Sequence, residues 1–73
     1  MNISQTVAKN VKRLLKKDKQ SIGDFEKHLG LTKGYFSRHA NGKGTIALDI
    51  VYRVAVELHV PIEELCKEHR EKA

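Results

Sequence analysis

An all-α fold follows from three features of this 73-residue chain. The expected architecture is a compact bundle of five short helices, with the second and third forming a helix-turn-helix. Apolar residues recur at three- and four-residue spacings, the period of one helix face. Gly30, Asn41-Gly42 and Pro61 punctuate those stripes at short intervals. No segment shows the apolar–polar alternation of a half-buried strand.

The first helix is expected over residues 3–17. Ile3, Val7, Val11, Leu14 and Leu15 share one face; Lys9, Lys12, Arg13, Lys16 and Lys17 lie opposite. Ser4 is its expected N-cap, and the basic last turn suits the helix dipole. The second helix is expected over 22–29. Ser21 stands three residues before Asp24, the spacing of a capping box. Ile22, Phe25 and Leu29 form its apolar stripe. Gly30 ends it, because glycine reaches positive φ without a steric penalty. Leu31 packs inside the turn. The third helix is expected over 33–40 or 41, with Thr32 as N-cap. Its buried side holds Phe36 and either His39 or Ala40, and Asn41-Gly42 stops it. The fourth, over 48–58, carries Leu48, Val51, Ala55 and Leu58 as its core stripe, flanked by Tyr52 and Val54. Val60-Pro61 interrupts the chain, since a residue before proline avoids helix. Pro61 then opens a fifth helix to about His69, with Ile62 and Leu65 inward and Glu63 and Glu64 near its N-terminus.

The length suits a single domain over residues 1–73, packed over about 3–69. A domain this small buries only about 60% of the surface of its unfolded chain, so no deep internal pocket is expected. A hydrophobic fraction of 40% and a charged fraction of 32% suit a soluble globular chain rather than a disordered tail. No apolar run approaches the roughly 20 residues of a membrane span. The first residues lack a signal-peptide pattern. Cys66, the single cysteine, permits no internal disulfide. These features place the expected location in the cytoplasm.

Charge is distributed unevenly. Residues 1–48 carry ten Lys/Arg against three Asp/Glu, a net +7, and residues 49–73 carry four against six, a net −2. A polyanion-facing side and a neutral-to-acidic side are therefore expected. The basic half contains FEKHLGLTKGYFSRHANG, Phe25 to Gly42. A short helix, a glycine turn and a second helix bearing Lys33, Tyr35, Ser37 and Arg38 is a DNA-binding device.

The order and spacing of several groups of residues resemble the phage-repressor and Cro-like helix-turn-helix family, also called the XRE family. They are Phe25, Leu29-Gly30-Leu31-Thr32, Ser37-Arg38, Asn41-Gly42-Lys43, Leu48-Asp49, Ala55, Leu58, Val60 and Glu63-Glu64-Leu65. The resemblance spans about residues 7–66. It implies a lambda-repressor-like bundle with a recognition helix over 33–41. Its DNA-binding site would comprise Thr32, Lys33, Gly34, Tyr35, Ser37 and Arg38, with Asn41 and Lys43 in or near the following loop. It implies a transcriptional regulator, a repressor from a phage or another mobile element, bound to double-stranded DNA at a palindromic operator. A homodimer through helices four and five is the matching expectation, with Ile50, Tyr52, Val56 and Ile62 as candidate contacts.

Four positions depart from the family pattern. Glu26 stands where a small alanine usually faces helix three, and is expected to lean outward or to pair with Arg38, His39 or Lys43. Ile22 replaces a glutamine that often holds a phosphate. Gly34 lacks a side chain where relatives read a base. Ala40 replaces an acidic residue before Asn-Gly.

In this reading, phosphate contacts position the protein and base-edge contacts specify sequence. Arg38 is the best base reader, since its fork matches guanine O6 and N7. Lys33 suits a base or a phosphate. Tyr35 offers a hydroxyl to a phosphate and a ring to a thymine methyl. Thr32, Ser37 and Asn41 suit phosphate, Lys43 adds charge, and Gly34 lets the backbone come close.

Other chemistry is weakly represented. Cys66 and His69 are three apart with His59 nearby, but three ligands without a second cysteine make a poor structural zinc site. His28 and His39 have no nucleophile pattern beside them. No phosphate-cradling glycine loop and no catalytic carboxylate pair is present, so no enzyme, metal or cofactor is expected. The alternative class is an antitoxin-like or adaptor protein that binds a partner protein through the C-terminal half.

Overall fold

The computed structural model describes residues 2–68. Five helices make up the fold among these residues: α1 (Ile3–Lys17), α2 (Ile22–His28), α3 (Tyr35–Ala40), α4 (Leu48–Leu58) and α5 (Ile62–Cys66), with no strand. The long α1 is the central post. Its apolar face (Val7, Ala8, Val11, Leu15) is almost fully buried and meets α3, α5, α2 and α4. Phe25 and Leu29 from α2, Phe36 from α3, Ile46 from the loop, Val51, Val54 and Ala55 from α4 and Leu65 from α5 complete one core.

Side chains, some of them distant in sequence, fasten the helices at their ends. The N-cap of α1 is Asn2, in a full capping box with Gln5: Gln5 N donates to Asn2 Oδ1 at 2.8 Å, and Asn2 N donates to Gln5 Oε1 at 3.1 Å. The expected cap, Ser4, is instead buried. Its hydroxyl accepts from Ile46 N at 2.9 Å and ties the α3–α4 loop to α1. The cap lies two residues earlier than expected because Gln5, at the third helical position, completes the box with Asn2. Asn10, 4% exposed, donates through Nδ2 to Leu65 O at 2.7 Å and to Lys67 O at 2.8 Å. It thereby donates to carbonyls at the end of α5, where helical partners run out. Lys67 is extended, so α5 ends at Cys66, short of the expected limit. His69 lies outside the described residues. Arg53 on α4 donates to Leu29 O at 3.2 Å, closing the end of α2.

Two other expectations shift by a fraction of a helix turn. On α4 the core face is Val51, Val54, Ala55 and Leu58, with Val54 fully buried. Leu48 is 76% exposed and aligns at four-residue spacing with exposed Tyr52 and Val56, roughly a third of a turn from the core line. On α5, Leu65 faces inward, whereas Ile62 sits on the rim. Pro61 occupies the cap position rather than the first turn.

Helices α1 to α4 terminate alike. The chain passes through a left-handed residue at Lys19, Gly30, Gly42 or His59. The next amide then reaches back five residues: Gln20 N to Leu15 O, Leu31 N to Glu26 O, Lys43 N to Arg38 O and Val60 N to Ala55 O, at 2.8–3.0 Å. These are Schellman closures, which satisfy end carbonyls. Glycine adopts this conformation freely, whereas an L-residue is strained by roughly 1–2 kcal/mol. His59→Gly is therefore expected to stabilise the fold by about 0.5–1 kcal/mol once the entropy of the unfolded glycine is deducted. Gly30→Ala, whose new methyl would meet no atom within 4 Å, is expected to destabilise it by about 1 kcal/mol. Urea midpoints at unchanged slope measure both.

Candidate nucleic-acid interface

The helix-turn-helix runs from α2 through Gly30 into a second bend. Leu31 is half-buried between the helices, and Tyr35 N donates to Thr32 O at 3.1 Å. Gly34 then adopts a left-handed conformation (φ 80°, ψ 10°) as the cap residue of α3. The recognition helix therefore begins at Tyr35, two residues later than expected, and Thr32 is not its N-cap. Thr32 and Lys33 lie in the turn ahead of the helix.

The amides at the start of α3 are satisfied from α2. Glu26 is 2% exposed; Gly34 N donates to its Oε1 and Phe36 N to its Oε2, both at 3.0 Å. It neither leans outward nor pairs with Arg38, His39 or Lys43. The carboxylate faces the positive end of the helix, where two N–H groups lack intrahelical partners. This is the functional residue that sequence reasoning placed wrongly. The usable signal was a buried helix position occupied by an acid, eight residues before a glycine that opens a helix.

The outer surface of α3 is polar. Thr32, Lys33, Arg38, Asn41 and Lys43 are exposed; Gly34, Tyr35 and Ser37 are half-buried; Phe36 is completely buried against α1 and α2 residues of the core. Among the described residues, Lys33, Arg38 and Lys43 take part in no ion pair; the one seen, His28 with Glu57 at 3.3 Å, joins α2 to α4. Arg38 joins the start of this surface together. Its Nη1 donates to Lys33 O at 2.9 Å and its Nη2 to Thr32 Oγ1 at 2.6 Å. Asn41 and Lys43 lie at the opposite end, about 9 Å along a six-residue helix. Gly42 there approaches Gln5, so the loop also rests on the start of α1.

Tyr35 leans on the bundle. Its ring meets Phe36 edge-on at 5.2 Å and the half-buried His39 at 4.6 Å. Burial, and secondarily the negative charge of Asp49, hold its phenol above the ordinary 10.0. Among the described residues no group of three His, Cys, Asp or Glu could hold a metal ion; His69 lies outside them. Likewise no described helix is long and apolar enough to cross a membrane.

A polar, cationic second helix held at a fixed angle behind a glycine turn defines a helix-turn-helix DNA-binding domain. Within that class, the family model of the Cro/C1-type HTH DNA-binding domain matches residues 10–68, and the chain belongs to that family. No curated protein and no solved structure matches the chain.

Two outcomes are expected from this geometry. Glu26→Gln keeps one acceptor but turns an NH₂ toward the second backbone amide. It is expected to lower stability by about 2 kcal/mol or more, read from the urea midpoint. For Tyr35, the folded state favours the neutral phenol, so this stabilisation is complete below about pH 10 and lost as pH rises through the raised value. In a Tyr52→Phe background, tyrosinate absorbance should develop above 10.0 while the melting temperature falls; titration at or below 10.0 would contradict the packing described.

Proposed function

We propose that the chain is a sequence-specific double-stranded DNA binder and a transcriptional regulator, acting as a repressor by occupying its operator. The observation that carries this reading is the one-sidedness of α3. Phe36 is wholly buried, whereas Arg38 on the helix and Lys33 and Lys43 just before and after it stand exposed, with no ion pair among the described residues. Exposed cations on and at both ends of a helix of this kind suit a phosphate backbone, which also supplies most of the affinity and its salt dependence.

The contacts follow from side-chain chemistry. Lys33 and Lys43 bind phosphates at the two ends of α3. Thr32, Ser37 and Asn41 offer hydroxyl and amide donors to the same backbone. Arg38 reads guanine O6 and N7. Tyr35 offers its hydroxyl outward while its ring stays on His39. Gly34 allows close approach.

A homodimer fits the outer face of α4. Leu48, Tyr52 and Val56, 76%, 58% and 53% exposed, form an apolar ridge at four-residue spacing, with Ile62 of α5 partly exposed as well. Ile50, in contrast, is half-buried against the core. A dimer of this kind would meet two half-sites, which for helix-turn-helix dimers lie about 34 Å apart, on a palindromic operator.

Selection of duplexes from a random pool is the test. Palindromic sequences should be enriched, with affinity falling steeply as salt rises. Lys33→Ala and Lys43→Ala should weaken all duplexes alike and reduce the salt slope by about 1 each. Arg38→Ala should remove about 1–3 kcal/mol of discrimination at one base pair. Equal affinity for all duplexes, unchanged by Arg38→Ala, would refute sequence-specific binding.

A further inference from the structure

We propose that Thr32 and Gly34 are specificity-determining positioning residues that act through Arg38, holding its guanidinium as a fixed fork. The inference rests on the DNA-binding reading above. It assigns the discrimination to a three-residue unit rather than to Arg38 alone.

Arg38 is exposed, and a side chain of its length at such a position ordinarily samples many rotamers. Here both terminal nitrogens are tethered. Nη1 donates to Lys33 O at 2.9 Å and Nη2 to Thr32 Oγ1 at 2.6 Å. Two tethers fix the plane of the group as well as its place. The remaining N–H donors of the guanidinium stay free for an outside acceptor.

Gly34 makes the tether fit. A Cβ on Gly34 would lie 3.3 Å from Arg38 Nη1, crowding the guanidinium. The left-handed backbone (φ 80°) also disfavours any side chain there. The missing side chain at this reading position thus accommodates Arg38. Glu26, the buried acid of α2, accepts from Gly34 N and Phe36 N. Arg38 pairs with no carboxylate among the described residues, so its charge is not neutralised.

A tethered fork favours discrimination for two reasons. Rotamer freedom that binding would otherwise remove is already lost in the free protein. A mobile arginine can also settle on a phosphate oxygen, which carries no sequence information, whereas a fixed one meets a base edge at one position. The Thr32 hydroxyl, while accepting from Arg38, retains its own hydrogen for a phosphate. A purely phosphate-binding Thr32 and a positioning Thr32 therefore predict different results.

Thr32→Val keeps the shape and removes the acceptor. Its affinity is measured for the duplex selected by the wild-type protein and for a scrambled duplex, alone and with Arg38→Ala. The ratio of the two affinities is expected to fall roughly tenfold, the share of one two-pronged base contact, at unchanged salt slope and melting temperature. In the Arg38→Ala background the same change should shift the ratio by less than about twofold, the signature of coupled residues. In the free protein, ¹⁵N relaxation should find the Arg38 Nε–H ordered in the wild type and mobile in Thr32→Val. A ratio preserved in Thr32→Val, or a full drop persisting without Arg38, would overturn the proposal. A mobile Arg38 in the free wild type would overturn it while leaving the DNA-binding reading intact. A wild type with no preference among duplexes would overturn that reading itself.

Discussion

The carboxylate of Glu26 is the interaction on which the reading surface depends. α3 has six residues and no side-chain cap of its own. A helix that short does not persist in water by its own hydrogen bonds. A carboxylate 2% exposed is equally untenable unless its oxygens are satisfied. Each resolves the other's problem. Two amides at the start of α3 meet two oxygens from α2, and bonds to an ionised acceptor are among the stronger kind. Because the donors stand on either side of Tyr35, the pair fixes the direction of α3 as well as its position. Phe36, buried beneath it, fastens the other side.

The same device recurs through the fold. A chain of this size has little apolar surface to bury, and its short helices expose many end groups relative to their length. Ser4 accepts from the amide of Ile46, Asn10 donates to carbonyls at the end of α5, and Arg53 donates to the carbonyl of Leu29, the cap residue of α2. Each bond lets one polar side chain satisfy a helix end or loop and also join two elements far apart in sequence. The consequence for function is rigidity at the turn and loop that flank α3, where the exposed cations stand. Arg38 extends the pattern outward, tying the turn before α3 to the helix itself.

Periodic apolar residues made the helices legible. The limits of α1 and α4 agree with their stripes, and Gly30 and Asn41-Gly42 ended α2 and α3 as expected. What escaped the sequence were choices between residues of similar type. Asn2 and Ser4 are both good caps, and only the reach of Gln5 decides between them. Leu48 and Val54 are both apolar, and the facing helices decide which is buried. Glu26 was the largest miss, because a charged residue on a predicted helix reads as surface when its backbone partners are supplied by a different helix. Thr32 was misread for a related reason: a threonine before a helix resembles a cap, but a left-handed Gly34 moved the helix start beyond its reach. Of the candidate DNA-facing residues, Thr32, Lys33, Arg38, Asn41 and Lys43 are exposed, yet the bonds from Arg38 to Thr32 and Lys33 needed coordinates.

Amide hydrogen exchange in the free protein tests the central claim, that Glu26 holds the recognition helix from behind. Gly34 and Phe36 carry amides in a turn and a first helical residue pair, where no intrahelical bond would protect them. If Glu26 accepts from both, their exchange should be slow and should approach the rate set by global opening of the core. Exchange of both within about tenfold of an unstructured chain would show an unheld helix and would contradict the account.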